Sequence, residues 1–235
     1  MTGQPSVGGL RPATRADFLG LPVEVAPRLL GGVLTTLVDG ETVAVRLTEV
    51  EAYHGAGTGE MADPGSHARM GRTRRNATMW GEPGHLYVYL SHGIHSCVNV
   101  VCGPEGVAGG ILLRAGEVLQ GQDAATRRRR ERRGVVRSDR DLARGPGRFG
   151  EAVGLRHPAH DGIDAITGVA LAGAIARLDL RAAPLEEVAT GPRVGVAGVA
   201  GTDAFPWRYW VPADPTVSPF RWGRGAGPAV DAVKS

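Results

Sequence analysis

Two glutamates, Glu49 and Glu51, lie where a β-strand would normally bury apolar side chains, in the stretch RLTEVEAYHG at residues 46–55. The alternation in ETVAVRLTEVEAY predicts a strand whose apolar face ends with Glu49, Glu51 and Tyr53. Because burying an ionised carboxylate costs free energy, such a residue is paired with a cation, functional, or left in solvent at a strand end. Two carboxylates about 6.6 Å apart along a strand also have the arrangement of the acid and base of a glycoside hydrolase.

A buried cation is predicted elsewhere in the chain. Arg114 interrupts the apolar stretch GGILLRAGEVLQG, which otherwise predicts a buried strand. A guanidinium in such a strand needs an anionic partner, and Glu51 is the natural candidate. Chemistry through a lysine Schiff base is disfavoured, because the single lysine of the chain, Lys234, is one place from the end of the sequence.

A loop of unusual length, HGAGTGEMADPGSHARMGRTRRNATMWGEPG, follows the glutamate strand at residues 54–84. Loops of this length in compact domains are often functional. This one contains His67 and, beside Asn76, a basic cluster that consists of Arg69, Arg72, Arg74 and Arg75. Its composition suits phosphate contacts, and it is equally typical of a solvated run of charge.

The next segment, HLYVYLSHGIHSCVNVV, predicts a β-hairpin that turns at SHG and exposes His92 at its tip. Tyr87 and Tyr89 share one face of its first strand, where aromatic rings form either core or a stacking surface for a flat ligand. Cys97 and Cys102 are separated by about 16 Å of extended chain, which is too far for a disulfide.

The remaining patterns predict an α+β fold with several antiparallel hairpins. A helix is expected in DFLGLPVEVAPRLLGG, ending at Gly31, and the dipeptide DG predicts a tight turn between GVLTTLV and the glutamate strand. The segment GQDAATRRRRERRG predicts a basic helix or surface loop, and RGPGRFGEAVGL a turn that leads into a short helix. Further strands are expected in VALAGAIARLDLRA and GPRVGVAG, followed by a coil in FPWRYWVPADPTVSPF.

Composition limits the organisation and the class of the protein. No shift in composition divides the 235 residues, which favours one domain over residues 1–235 with flexible tails at about 1–14 and 222–235. The net charge is +3, and the cationic residues are almost all arginines. This charge balance tolerates an anionic partner such as nucleic acid. The histidines and cysteines show no zinc-ligand spacing, so no metal site is predicted. No membrane span or signal peptide is predicted, which favours a soluble protein of the cytoplasm.

Several motifs together resemble the alkyladenine (3-methyladenine) DNA glycosylases, over residues from about 20 to 218. They are TEVEAY, the histidine of PGSHAR, RRNATMW, PGHLYVYLSHGIHSCVNV, GGILLRAGEVLQG, GPGRFGEAVGL and PRVGVAG. The resemblance implies a single α+β domain with a curved antiparallel sheet and surrounding helices. It also implies a protruding β-hairpin that intercalates into the minor groove of DNA while a damaged purine is flipped into a pocket.

The resemblance assigns roles to individual residues. It implies that Glu51 is the general base that activates the hydrolytic water, oriented by Arg114 and the backbone carbonyl of Val194. The implied base pocket consists of Tyr53 and Tyr89, which stack on the base, His67, which hydrogen-bonds it, and Asn99, which crowds the exocyclic amine of guanine. The implied DNA contacts are Arg72, Arg74, Arg75 and Asn76 on the backbone and His92 as the wedge, where vertebrate relatives carry a tyrosine.

The implied activity is that of a monofunctional DNA glycosylase of base excision repair, without cofactor or metal. It would act as a monomer on double-stranded DNA that contains damaged purines, leaving an abasic site without strand cleavage. The preferred lesion, among 3-methyladenine, 7-methylguanine, hypoxanthine and ethenoadenine, is left open. Two other classes remain: a glycoside hydrolase that uses Glu49 with Glu51, and a noncatalytic nucleic-acid-binding module.

Overall fold

The computed structural model describes residues 9–55, 62–132 and 135–228. These residues form an α+β structure in which three helices accompany a curled sheet whose paired strands are all antiparallel. The strands are β1 (Leu10–Pro12), β2 (Val33–Val38), β3 (Glu41–His54), β4 (His85–Ser91), β5 (His95–Val101), β6 (Gly109–Gln120), β7 (Ala143–Arg144), β8 (Ile163–Asp164), β9 (Ile175–Arg181), β10 (Ala189–Gly191) and β11 (Arg208–Trp210). The helices are α1 (Pro22–Leu29), α2 (Gln122–Glu131) and α3 (Pro146–Val153).

The long strands β3 and β6 pair at the centre of the sheet, whose main order is β1-β9-β2-β3-β6-β5-β4-β8. The turn between β2 and β3 is formed by Asp39 and Gly40, both with left-handed backbone conformation (φ 55° and 76°). This is the turn type that an aspartate–glycine pair favours in hairpins, and the predicted hairpin is confirmed.

Strand β3 is buried on both faces along the stretch that carries the glutamates. Glu49 and Glu51 are 0% exposed, so the expectation of a solvated strand end is wrong. The register between β3 and β6 shifts on both sides of Glu49, and Arg114 has no partner in the ladder because Ala115 and Leu113 pair around it. Such bulges re-aim side chains beside functional sites, and here they bring the Arg114 guanidinium to the two carboxylates.

Strands β4 and β5 pair as the predicted hairpin, with Ser91 opposite His95. His92 and Gly93 have positive φ angles of 50° and 71°, and the Ile94 N–H donates to the Ser91 carbonyl over 3.0 Å. The tip therefore exposes His92 together with the apolar side chain of Ile94, which is 57% exposed.

The main core lies between the sheet and the helices. Helix α1 contributes Val25, Ala26 and Leu29, whereas α3 buries Phe149 and Val153 against β5 and β6. A smaller apolar cluster lies under the long loop and consists of Ala68, Met79, Tyr87, Val101 and Ala108. No helix among the described residues is both long and apolar enough to cross a membrane.

Several local predictions differ from the structure. The first predicted helix is divided into a 3-10 turn, Arg15–Phe18, and α1, which begins at Pro22 because proline favours the first helical position. Part of the expected N-terminal tail pairs with β9 as β1. The stretch GPRVGVAG is irregular rather than a strand, with positive φ at Gly195 and Gly198. The expected coil FPWRYW contains β11, which pairs with β3. Residues 229–235 of the predicted C-terminal tail lie outside the described residues.

The arginine run is a helix, α2, and part of it is not solvated. Arg128 and Arg129 are buried at 7% and 5% exposure. Arg128 donates to the carbonyls of Ala152 and Val38, so it joins α2 to α3 and to the end of β2. These two arginines therefore stabilise the fold.

Candidate active site

Glu51 lies under a cleft and accepts hydrogen bonds from three donors. Its Oε1 accepts from the Val194 N–H over 2.7 Å, and its Oε2 accepts from the Tyr53 hydroxyl over 2.8 Å and from Arg114 Nη1 over 3.3 Å. The predicted pairing of Glu51 with Arg114 is confirmed. The contact recorded for Val194 uses its N–H, whereas the sequence prediction concerned its carbonyl, whose role stays a prediction.

Glu49 is as fully buried as Glu51 and accepts more hydrogen bonds. It accepts from Arg208 Nε over 2.7 Å, from Arg114 Nε over 3.0 Å, and from the backbone N–H and hydroxyl of Ser218 over 2.7 and 3.0 Å. Burial opposes ionisation of Glu49, but the two guanidinium groups and Ser218 outweigh it and lower the pKa of this carboxyl. A carboxyl with a lowered pKa is ionised at neutral pH, so Glu49 is unsuited to donate a proton as the acid of a carboxylate pair.

Arg114 connects the two carboxylates. It is 6% exposed, and although burial disfavours its charge, Glu51 and Glu49 raise the pKa of its guanidinium above the ordinary value. Its Nη2 also donates to the Ser218 hydroxyl over 3.3 Å. With Arg208 as the second cation, the buried cluster contains two glutamates and two arginines, so its formal charges cancel.

Tyr53 is held on one face and at its hydroxyl. The guanidinium of Arg193 lies 4.5 Å from the centre of the Tyr53 ring, and Arg193 is itself fixed by two 2.7 Å hydrogen bonds to the Asp63 carboxylate. Burial and the neighbouring Glu51 raise the pKa of Tyr53 well above its usual value, which keeps the hydroxyl protonated as a donor. Tyr53 therefore reaches the cleft as a ring of fixed orientation.

A second aromatic group brings together residues of the long loop and β4. The rings of Tyr87 and Tyr89 are stacked with centres 5.4 Å apart, and His67 meets Tyr89 edge-on at 4.6 Å. Desolvation by these neighbours, with the charges of Arg75 and Arg69, lowers the pKa of His67. His67 is therefore a neutral imidazole at pH 7, able to donate from one ring nitrogen and accept at the other.

Asn99 lies on β5, directly opposite Tyr87. It is 5% exposed, and its side-chain amide donates to the Tyr87 carbonyl over 3.1 Å. The structure thus places Asn99 beside the tyrosine pair, and its predicted contact with a base stays a prediction.

One large cleft is lined by part of these groups, and His67 and Asn99 are not among its lining residues. It is lined on its inner part by Tyr53, Tyr89, Cys97, Leu112, Arg114 and Val194, and the hairpin residues Ser91, His92 and His95 also line it. The predicted catalytic residues, both predicted stacking tyrosines and the predicted wedge therefore lie on or directly under a common surface. Within the described part of the chain, no group of three His, Cys, Asp or Glu side chains could hold a metal ion.

The residues predicted to contact the DNA backbone divide into two kinds. Arg72, Arg74 and Arg75 are exposed, and Arg75 Nη2 lies 3.4 Å from the Leu90 carbonyl at the end of β4. Asn76 differs from the prediction, because it is buried at 4% exposure and its amide donates to the carbonyls of His67 and Gly71. Its side chain is committed to shaping the loop that displays the arginines.

Sequence reasoning missed Arg208, Ser218 and the Arg193–Asp63 pair. Arg208 lies in FPWRYW among large apolar residues, and the argument that identified Arg114, a charge within an apolar stretch, also applies to it. Ser218 and Asp63 show no comparable pattern, because their significance depends on contacts with residues more than 100 positions away.

The site therefore combines a buried carboxylate bound by arginine with a cleft lined by tyrosines and bordered by further arginines, an arrangement that suits an enzyme acting on nucleic acid. The model of the methylpurine-DNA glycosylase family matches residues 17–215, and the chain belongs to this family. A similar protein from Leifsonia xyli subsp. xyli is 51% identical over 207 residues, which are 88% of this chain and 92% of the relative. The relative from Nocardia farcinica is 49% identical over 203 residues, 85% of this chain and 87% of the relative. The relative from Streptomyces avermitilis is 45% identical over 210 residues, 89% of this chain and 92% of the relative. All three are named after 3-methyladenine DNA glycosylase.

Proposed function

We propose that this protein hydrolyses the N-glycosidic bond of alkylated purines in double-stranded DNA and leaves an abasic site. Family membership supports the reaction class. The observation that supports the mechanism is the placement of Glu51, which is fully buried, bound by three donors and directly beneath the tyrosine-lined cleft.

Glu51 is proposed as the general base. Each carboxylate oxygen has two lone pairs, and the described donors use one on Oε1 and two on Oε2. The free lone pair of Oε1 is proposed to accept a hydrogen bond from the hydrolytic water, which requires a local opening at the base of the cleft because Glu51 is 0% exposed. That water transfers a proton to Glu51 while its oxygen bonds to the sugar carbon and the bond to the purine breaks. The carbonyl of Val194 is proposed to orient the same water.

The leaving group requires little help when it is alkylated. A purine alkylated at N3 or N7 is cationic, so it accepts the bonding electrons and departs as a neutral base without prior protonation. Tyr53 and Tyr89 are proposed to stack on this base, and electron-rich ring faces bind a cation by about 0.5–2 kcal/mol more than a neutral ligand. His67 would hydrogen-bond the base edge, and Asn99 would crowd the amine of guanine.

The base must leave the helix to reach these residues. Flipping costs a few kcal/mol and costs less for a damaged pair, and we propose that His92 at the hairpin tip fills the vacated space. Arg72, Arg74 and Arg75 would contact phosphates beside the hairpin. The protein would act as a monomer, in the cytoplasm, without lyase activity.

A base-release assay tests the proposal. Duplex DNA with a single 3-methyladenine or 7-methylguanine is incubated with the protein, and free base and alkali-labile strands are quantified in a single turnover. Free base together with an intact strand that breaks only after alkali is the expected result. Release of sugar from a glycan substrate instead would favour the glycoside hydrolase, and DNA binding with no release of any base would favour a noncatalytic module.

A further inference from the structure

The cleft is bordered by a second set of arginines, distinct from the loop cluster at residues 69–75. Arg137, Arg148 and Arg221 are exposed and line the cleft together with the hairpin tip. None of the three forms an ion pair with any residue that the structure describes. Asp141 also lines the cleft, but it lies 3.7 Å from Arg144, which compensates its charge. The border therefore carries uncompensated positive charge toward the open side of the site.

Aromatic rings accompany one of these arginines. Phe220 and Trp222, on either side of Arg221, are 39% and 37% exposed, and their rings meet edge-to-face at 4.8 Å. Exposed rings of this size next to a guanidinium are a combination typical of nucleic-acid surfaces.

The segment that carries these rings is held in place. The Gly195 N–H donates to the Arg221 carbonyl over 2.9 Å, and the Gly198 N–H donates to the Arg224 carbonyl over 3.0 Å. Arg208, which binds Glu49, also donates to the Ser218 carbonyl over 3.0 Å. The segment is thus fixed both to the irregular stretch after Val194 and to the buried charge cluster. It lies beyond residue 215, where the match to the family ends.

The loop cluster and Arg148 of the second set lie on different sides of the hairpin. Arg75 reaches the Leu90 carbonyl at the end of β4. On the β5 side, Arg132 donates to the Ile94 carbonyl over 3.1 Å, and His95 lies 3.4 Å from Glu151 of α3, the helix that also carries Arg148. Nucleic acid that is wedged open by the hairpin would therefore meet positive charge on both sides of it.

We propose that Arg137, Arg148 and Arg221, with Phe220 and Trp222, form a second contact surface for the backbone of duplex DNA. The guanidinium groups would bind phosphate oxygens, and the rings would pack against deoxyribose. The inference rests on the proposed function, since it takes DNA as the substrate. It extends the contact beyond the loop cluster, so that the duplex is held on both sides of the flipped nucleotide.

The test compares two variants that remove equal charge. Arg137→Gln with Arg221→Gln removes two cations from this surface, and Arg28→Gln with Arg177→Gln removes two exposed arginines of α1 and β9 that do not line the cleft. Binding to undamaged duplex is measured over a range of salt concentrations, and thermal unfolding verifies that both variants fold. Each phosphate contact adds about 0.9 to the slope of log affinity against log salt, so the first variant should lose about 1.8 in slope and bind roughly 50-fold more weakly at 0.1 M salt.

The control variant, Arg28→Gln with Arg177→Gln, should retain the slope and affinity of the wild type. The variant Arg137→Lys with Arg221→Lys should retain most of the slope, because lysine keeps the positive charge. An unchanged slope in the glutamine variant, or an equal loss in the control, would overturn the inference. Because the probe is undamaged DNA, this result is independent of base excision. A wild type that binds with the expected slope but releases no base would refute the proposed catalysis and leave the second surface supported.

Discussion

Separate replacement of Glu51 and Glu49 by glutamine should affect two different properties of the protein. Glutamine keeps the shape of the side chain but cannot accept a proton from water. At Glu51 it should reduce single-turnover base release by about 10²- to 10⁴-fold, the usual contribution of a general base, while lesion binding stays nearly intact. At Glu49 the loss of excision per folded molecule should be far smaller, because that carboxylate is bound by Arg114, Arg208 and Ser218 and is not proposed to contact the hydrolytic water.

The effect on stability should have the opposite order. Glu51→Gln loses the hydrogen bond from Arg114 Nη1 at 3.3 Å, because an amide nitrogen at that position cannot accept. The Tyr53 hydroxyl can rotate to accept from the new amide, so the cost is that of one hydrogen bond to a charged group, about 1.5–3 kcal/mol. Glu49→Gln removes the anion that both Arg114 and Arg208 contact at 3.0 and 2.7 Å. Removing one partner of a buried ion pair costs about 3–5 kcal/mol.

Urea unfolding and single-turnover excision on the same preparations measure both quantities. The excision rate is normalised to the folded fraction, so that destabilisation is not mistaken for lost chemistry. If both variants lost excision to a similar degree, the two carboxylates would act together and the single-base mechanism would be wrong. A Glu51 variant less stable than the Glu49 variant would refute the assignment of Glu49 as the structural anion.

Three further outcomes are expected. Borohydride should trap no covalent complex between wild-type protein and lesion DNA, because water is the nucleophile; a trapped complex, seen on a denaturing gel, would contradict this. His92→Ala should weaken both the binding of lesion duplex and excision, whereas His92→Tyr should preserve or raise both. If wild type and His92→Ala bound duplex with equal affinity at matched salt, the wedge would lie elsewhere. Burial lowers the pKa of His54 from 6.5 to about 4. Below pH 6.5 the unfolded chain therefore binds the additional proton and stability falls, by about 2 kcal/mol at pH 5 and about 3 kcal/mol once the pH is below 4. His54→Phe, which preserves ring packing on Trp207, should flatten this loss between pH 7 and 5 in urea unfolding, and an unchanged pH dependence would exclude His54 as its source.

The elements nearest the site could be predicted because their sequences break a local rule. A carboxylate at Glu51 and a guanidinium at Arg114 each interrupt an apolar strand, and opposite charges in the interior must meet. The hairpin that displays His92 follows from alternation and turn chemistry. These features need only a few neighbouring residues to be recognised.

The remainder of the site depends on pairings that no local pattern contains. Arg208 comes to Glu49 because β11, three residues long, pairs with β3 across more than 150 positions of chain. A segment so short and so rich in tryptophan and proline predicts coil. Similarly, a run of arginines does not show which members a helix turns inward, and only the packing of α2 on α3 distinguishes buried Arg128 and Arg129 from their exposed neighbours.

The second glutamate has a role that follows from the balance of charge around the proposed base. A cation beside a buried carboxylate favours its charged form. Arg114 is shared, with its Nε on Glu49 and its Nη1 on Glu51. If Glu49 had no other cation, the two carboxylates would compete for one guanidinium. Arg208 removes that competition by binding Glu49 at 2.7 Å. Glu49 in turn fixes the orientation of Arg114 through Nε, so that Nη1 is directed at Glu51. An arginine of the C-terminal third therefore leaves Arg114 available to the proposed base without touching that base.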